Sequence, residues 1–337
     1  MARDIRFGYA LSSEEHRPLD LIRYAHRAEE AGFEFAFLSD HFHPWLDRQG
    51  QSPFAWSVLG GIAAKTERLI VGTGVTALSL RIHPAILAQA AATVGDMLPG
   101  RFWFGVGTGE NLNEHVTGYP WPEHSQRAAM LEEAVQIIRK LWTGELVDHR
   151  GDFYDVVRAR IYTLPEELPP ILVAASGTAS AELAGRIGDG LISTAPERDI
   201  VTAFQDAGRD AGATGPRPRI GQATVCWAND EAEARRIARE WWPTAALPGD
   251  NSQELPLPSS FESLAEIVTE DQVAEQIACG PDPEVHIAKV QPFIDAGFDH
   301  VYIHHVGPDQ LGFLTFAEKE LLPRLTGSGA ARRSAAA

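Results

Sequence analysis

The 337-residue chain is short of cysteine, of positive charge and of long apolar runs, and each shortage excludes something. Two cysteines, Cys226 and Cys279, cannot build a disulfide framework and have no metal-ligand spacing, so both read as reduced packing residues of a cytoplasmic protein. Lysine and arginine number 29 against 46 acidic residues, a formal net charge of −17. A nucleic-acid partner needs a concentrated basic face, and none is present. The longest apolar stretches, around Leu69 to Val71 and Ile171 to Ala175, fall far short of the ~20 residues that span a membrane. The opening MARDIRFGYA lacks the apolar core and cleavage site of a signal peptide. There is no Walker loop, no GxSxG elbow and no paired CxxC. No metal site is expected: His304 and His305 are neighbours on one strand and face opposite sides.

What is present is a globular composition, 44% apolar and 22% charged, with a strict alternation of periods. Short apolar runs predict strands at Ile5 to Ala10, Phe35 to Leu38, Leu69 to Thr73, Phe102 to Val106, Ile171 to Ala174, Gly190 to Ser193, Ile220 to Trp227 and His300 to His305. Between them, apolar residues three and four apart predict helices at Leu19 to Ala31, Pro53 to Thr66, Pro84 to Met97, Gln126 to Trp142, Ala179 to Ile187, Ile200 to Gly212, Glu231 to Glu240 and Pro283 to Ala296. Pro53 and Pro84 suit a first helical turn, and Ser125 reads as an N-cap. Eight such units without a second composition regime predict a (β/α)8 TIM barrel over 1–326 as a single domain, with a doubly wound open sheet as the competitor. HRGDFYDV followed by RARIYTL predicts a small inserted hairpin. The segment Pro243 to Ser263 has no clean period; it reads either as a lid or pocket wall over the mouth, or as a crossover loop or dimer contact. The terminal 327–337 read as a disordered tail.

In such a barrel the chemistry sits at the carboxyl ends of the strands. The second strand runs into SDHFHPW, placing Asp40, His41 and Trp45 at the mouth. A histidine there can take an alcohol proton while a neighbouring carboxylate orients it, or it can be a satisfied structural residue. The fourth strand runs into FGVGTGENLNEH. Its glycines either admit a ligand to the backbone or serve a tight turn, and Glu110 and Asn113 follow at once. Gly72 and Gly74 interrupt the third strand, which suggests a bulge or a closely packed planar ligand. Ser176, Gly177 and Thr178 open a helix whose N–H groups suit a phosphate, although an ordinary cap explains them equally.

Together, SDHFHPW, GTGV and GVGTGENLN, in this order and at these separations, resemble the deazaflavin-dependent oxidoreductases of the bacterial-luciferase-like superfamily, in the branch of the coenzyme F420-dependent glucose-6-phosphate dehydrogenases. The resemblance extends from about Phe7 to Leu325 and includes GDFYDV, AASG, AGRIGDGLIST and GPDQ. It implies a barrel, usually homodimeric, that holds coenzyme F420 at its mouth. It places Asp40 at the ring edge, makes His41 the base, sets Trp45 against the substrate and gives Glu110 a proton-handling role at the reduced ring. Gly74 and Val75 match a strand bulge, often with a non-proline cis peptide, behind the ring. Thr108, Gly109, Asn113, Ser176 and Gly177 match positions holding the ring substituents and the phosphate-bearing tail. Glu14 matches a further pocket carboxylate.

The departures concern the substrate. Where sugar-phosphate members carry TSGK, this chain has Thr194, Ala195, Pro196 and Glu197, and Glu275 and Gln276 stand where those members show cations. Carboxylates in a phosphate pocket repel, so the expected substrate is a neutral alcohol or sugar and not glucose 6-phosphate, with Glu14, Thr194, Glu197 and Glu275 among its contacts. The expected reaction is oxidation of a hydroxyl group by hydride transfer to the deazaflavin. The alternatives are an FMN-dependent monooxygenase of the same superfamily, a non-catalytic flavin-binding barrel and a glycosidase built on Glu14 and Glu110.

Overall fold

Eight parallel strands close on themselves in the computed structural model, which describes residues 5–247 and 251–327. The strands are β1 (Arg6–Leu11), β2 (Phe35–Leu38), β3 (Ile70–Thr73), β4 (Phe102–Gly107), β5 (Ile171–Ala174), β6 (Gly190–Ser193), β7 (Arg219–Cys226) and β8 (His300–His305). Each pairs in parallel with the next, and β8 pairs with β1 through Arg6↔His300 to Tyr9↔Ile303, so no edge is left open. Helices α1 (Pro18–Ala31), α2 (Ala55–Ala63), α3 (Pro84–Met97), α4 (His124–Leu141), α5 (Thr178–Ile187), α6 (Arg198–Asp210), α7 (Glu231–Trp241) and α8 (Pro283–Ala296) occupy the connections. This is the (β/α)8 barrel that the periodicity predicts, and the open-sheet alternative falls. The tail beyond Gly327 lies outside the described residues.

Two helix starts differ from expectation. Pro53 precedes α2, whose N-cap is Phe54, and Ser125 lies inside the first turn of α4, whose N-cap is Glu123. Pro84 does occupy the first turn of α3. The predicted hairpin forms as Val147–Arg150 against Asp155–Ala159, antiparallel. The Pro243 to Ser263 segment becomes a 3-10 turn at Pro243–Ala246 and two short helices, Asn251–Glu254 and Pro258–Ala265.

Inside the barrel, large rings on one strand face glycines on its neighbours. Phe35 and Phe37 of β2 are buried with Leu172, Ile192, Ile220 and Tyr302. A Cβ on Gly8 would lie 2.4 Å from the Phe35 ring, and one on Gly72 would lie 2.2 Å from the Phe37 ring. The planar group packed against Gly72 is therefore the chain's own Phe37, which corrects the expectation of a ligand there. Gly105 of β4 is tighter still, since its Cβ would sit 1.9 Å from the Thr73 carbonyl oxygen. Beyond β3, Gly74–Val75 is a cis peptide, and pairing with β4 resumes at Thr76↔Val106 with the register slipped by one residue, a bulge.

Outside the barrel, apolar residues of the strands and of the inner helix faces form one continuous core. Because the Gly105 contact is backbone and cannot swing away, Gly105→Ala should destabilise the fold by about 3 kcal/mol. A denaturant midpoint equal to that of the wild type would show that β3 and β4 separate more readily than their packing indicates.

Candidate active site

The loop after β2 carries Asp40, His41 and Trp45, and it is clamped to the segment after β4. The backbone N–H groups of Phe42 and His43 donate to Asn113 Oδ1 at 2.8 and 3.2 Å, and the His43 ring contacts the Leu112 carbonyl at 2.8 Å. Ser52 Oγ donates to the His41 carbonyl at 2.8 Å. Within this frame His41 Nδ1 lies 3.3 Å from the His43 carbonyl, while Nε2 lies 3.3 Å from Glu14 Oε1 and 3.5 Å from Glu110 Oε2. An N–H at Nδ1 leaves Nε2 of the neutral ring as the proton acceptor, and a proton taken there arrives between two carboxyl groups. Trp45 tilts over the His41 ring at 5.2 Å and meets Phe261 edge-on from the other side.

The two carboxyl groups are set apart by their surroundings. Burial alone would raise Glu14, but the His41 charge, its own backbone amide and the Ser39 and Ser12 hydroxyls together hold it below the usual carboxylate range. Ser39 Oγ donates to it at 2.7 Å and Ser12 Oγ at 2.9 Å. Burial pushes Glu110 up, helped by the charges of Glu14 and Glu114 and opposed by His41 and Asn113. One carboxylate stays ionised beside the imidazole while the other binds its proton more tightly, a pattern of acid–base sites.

Asp40 is buried with both oxygens engaged: Thr76 Oγ1 donates at 2.7 Å and Arg81 Nη2 at 2.9 Å. Arg81 Nε also lies 3.4 Å from Glu114, and Glu114 Oε2 in turn accepts from Ser79 Oγ and the Leu80 and Arg81 amides. Sequence reasoning passed over Arg81 and Glu114. The available signal was a lone cation in the apolar stretch LSLRIHP, immediately before α3.

These groups open onto a cavity of about 1150 Å³. Its walls include Glu14, Asp40, His41, Trp45, Gly74, Val75, Thr108, Gly109, Glu110, Asn113, Ser176 and Thr194, which brings together twelve of the residues expected at the site. Asn113 there acts as a clamp, its Nδ2 donating to Glu110 at 3.0 Å. Gly177 is the N-cap of α5 next to the cavity, and its amide and that of Ser176 both donate to Ser180 Oγ at 3.2 Å. Glu197 and Glu275 are not brought in. The first is the exposed N-cap of α6 and the second is exposed on the short helix Glu270–Gln276, so neither lines the cavity. Two cations do line it, Lys289 and Arg186.

The insertion proves to be a wall. Thr244, Ala245 and Gln253 line the cavity next to Trp242, the C-cap of α7; Asn111 Nδ2 holds the segment by donating to the Glu254 carbonyl at 2.8 Å, and Gln49 Nε2 fixes the end of α7 just before it by donating to the Trp241 carbonyl at 3.0 Å. Among the described residues, no helix is long and apolar enough to cross a membrane.

A flat, anionic-tailed cofactor fits these residues. Val75 of the bulge and Ala10, Phe37, Ile192 and Tyr302 supply an apolar floor, and the Thr108–Gly109 backbone and Asp40 stand at its border. At Gly177 an added Cβ would meet nothing within 4 Å, so that glycine leaves open space which no packing within the chain requires.

The fold and this site belong to a recognised class: the luciferase-like monooxygenase family matches residues 5–300, and the chain is a member of it. Within that family it is 39% identical to a Microbacterium testaceum protein named F420-dependent glucose-6-phosphate dehydrogenase, over 96% of this chain and 98% of that protein. A Nocardia farcinica protein of the same name is 37% identical over 96% and 98% of the two chains. Among solved structures, an F420-dependent secondary alcohol dehydrogenase in complex with an F420–acetone adduct superposes with a TM-score of 0.87 at 30% identity, covering 94% of this chain and 98% of that one. A coenzyme F420-dependent tetrahydromethanopterin reductase from Methanopyrus kandleri shares the fold at a TM-score of 0.77 and 20% identity, over 95% and 99% of the chains.

Arg81 is the cation that balances two buried carboxylates, so Arg81→Met should destabilise the protein by about 3–5 kcal/mol. Thermal denaturation of the variant at neutral pH checks this, and an unchanged melting temperature would remove Arg81 from the support of Asp40.

Proposed function

We propose that this chain oxidises a hydroxyl group of an alcohol or sugar by hydride transfer to coenzyme F420, with His41 as the base that takes the hydroxyl proton. The enzyme class is that of the F420-dependent oxidoreductases acting on CH–OH groups, to which the named relatives and the alcohol dehydrogenase structure belong. The observation that carries the reading is His41 Nε2 between Glu14 and Glu110 at the mouth of the barrel.

A hydride leaves carbon only as the hydroxyl proton departs, and His41 offers a lone pair for that proton. The ionised Glu14 then stabilises the charged ring, and the clamp through Asn113 and Ser52 keeps it from swinging away. Burial makes Glu110 the more readily protonated of the two carboxyl groups beside the ring. Asp40, Gly74, Val75, Thr108, Gly109, Ser176 and Gly177 would hold the cofactor, and Glu14, Trp45 and Thr194 would face the substrate. When bound, the deazaflavin supplies a two-electron acceptor.

The expectation of an uncharged substrate rested on the absence of the TSGK lysine and on the carboxylates of Glu197 and Glu275, both of which face solvent. With those two outside the cavity, repulsion no longer excludes a sugar phosphate. Lys289 favours one instead: it is half-buried, lines the cavity and has no ion-pair partner among the described residues. Burial pulls its ammonium below the usual lysine value.

His41→Ala should lower turnover by about 10²- to 10⁴-fold while leaving F420 affinity nearly unchanged. The deazaflavin absorbance under saturating substrate reports the first and a binding titration the second; undiminished turnover would take His41 out of the reaction. Titration with FMN alongside separates this reading from a monooxygenase, since tighter FMN binding reverses it. For the substrate, Lys289→Ala should raise the KM for glucose 6-phosphate about 10- to 100-fold and leave that for glucose unchanged. Equal kcat/KM for the two sugars in the wild type would count against any anion contact at Lys289.

A further inference from the structure

Across the barrel from the cofactor residues, one polar side chain has no part in the chemistry above. In the closed ring of eight strands β7 lies opposite β3. Gln222, in the middle of β7, faces inward between Ile220 and Thr224, stands in register with Tyr302 of β8, and lines the cavity with it. The residues expected to hold the cofactor, from Asp40 round to Gly177, stand at the ends of β2 to β5. On the side of Gln222 the cavity wall includes instead Thr194, directly after β6, and Lys289 of α8, the helix packed on β7.

The Gln222 amide is oriented from below. Tyr302 is 3% exposed, and Phe37 and Phe35 meet its ring edge-on at 5.3 and 6.4 Å, so its hydroxyl has a fixed place. It donates to Gln222 Oε1 at 2.6 Å, the one hydrogen bond it makes among the described residues. Burial pushes the phenol upward in pKa, so it keeps its proton and remains a donor. Were the amide reversed, that proton would be left among the apolar side chains of the floor, Phe35, Phe37, Ile192 and Ile220. With Oε1 taken, Nε2 carries two N–H groups that have no partner among the described residues, on a half-buried side chain at the cavity wall. Gln253 of the inserted wall repeats this polarity, because Arg127 Nη2, which can only donate, meets its Oε1 at 3.0 Å.

We infer that Gln222 is a specificity-determining residue that donates a hydrogen bond to an acceptor oxygen of the bound substrate, and that Tyr302 is the positioning residue that turns its amide into the cavity. This role rests on the CH–OH oxidation reading above and gives that site a polarity. His41 takes a proton, whereas Gln222 offers one without releasing it. A free glutamine presents either end of its amide; the Tyr302 hydroxyl takes the acceptor end and leaves the donor end to the ligand. An amide does not titrate, so the contact is unchanged over the range in which His41 gains and loses its proton. A ligand that displaces water from the two N–H groups has to supply an acceptor, since they are otherwise left unpaired, and a site of this kind discriminates strongly against a compound that lacks the matching oxygen.

The test measures kcat and KM for glucose and glucose 6-phosphate in the wild type, Gln222→Ala, Gln222→Glu and Tyr302→Phe, with the F420 affinity of each from a binding titration. Gln222→Glu keeps the size of the side chain and the acceptor for Tyr302 but sets an oxygen where the donors stand, so a merely structural glutamine would leave its KM at the wild-type value. KM should instead rise about 10- to 100-fold in both Gln222 variants and by less in Tyr302→Phe, while F420 affinity changes less than about twofold. A wild-type KM in Gln222→Glu, or a loss of F420 affinity in place of the rise in KM, would overturn the inference, and a Tyr302→Phe enzyme indistinguishable from the wild type removes Tyr302 from it. Monodeoxy glucoses locate the oxygen: the wild type should lose about 10- to 100-fold in kcat/KM on one of them, a penalty absent from Gln222→Ala. Equal penalties in the two enzymes on every analogue defeat the assignment. A readout independent of turnover is the ¹⁵N side-chain amide signal of Gln222 in glutamine-labelled full-length enzyme loaded with F420, assigned from its loss in Gln222→Glu. That signal should move with glucose or glucose 6-phosphate; no movement with either defeats the assignment even in an active enzyme. Movement without any reduction of F420 leaves the donor contact standing and defeats the dehydrogenase reading instead.

Discussion

Glu14 is a charged carboxylate almost wholly withdrawn from water at the end of β1, and the site is organised around keeping it ionised. Two hydroxyls and an imidazole do this: Ser12 from its own turn, and Ser39 and His41 from the loop after β2. The opposing burial penalty is large in a low-dielectric interior, so loss of any partner leaves an uncompensated charge. The same carboxylate therefore sets the orientation of His41, the charge that His41 can bear, and the positions from which the neighbouring loops can depart. Glu110 answers to it as well, since two carboxyl groups this close to one ring do not ionise with equal ease.

A second buried set, Asp40 with Arg81 and Glu114, fixes the other border of the mouth. It ties the β2 loop to the segment just before α3 and to the short helix after β4. Three strand ends are thus joined by charge as well as by packing. Below them, the bulge at Gly74–Val75 and the rings of Phe37 and Tyr302, in edge-on contact at 5.3 Å, line the floor of the cavity.

Much of this was legible in the chain. The eight strands follow from apolar runs bounded by turn residues, and half of them, at Phe35, Ile171, Gly190 and His300, begin and end where the periodicity places them. His41, Asp40, Trp45 and Glu110 were legible because a strand end in a barrel can point only toward the mouth. Glu197 and Glu275 were misplaced for the complementary reason. Position along a chain fixes which strand a residue follows, but a loop or a helix start can turn a side chain to solvent within one residue. Arg81 was missed because an arginine between apolar residues has many uses, and only the fold brings Asp40 and Glu114 to it.

The period of apolar residues by itself narrowed the fold to a (β/α)8 barrel or a doubly wound open sheet, since alternating strands and helices of these lengths bury their faces in few other ways, and the pairing of the last strand with the first decided for the barrel. The motifs SDHFHPW and GVGTGENLN likewise announced an acid–base cluster and a backbone opening at the mouth. Tertiary structure decided which charges meet. It set His41 between two carboxyl groups from remote strands, brought Lys289 into the cavity and left Glu197 out, and turned the inserted segment into a wall. Those outcomes depend on distances of a few ångströms between residues far apart in the chain, and Coulomb and hydrogen-bond energies are functions of those distances and not of sequence separation.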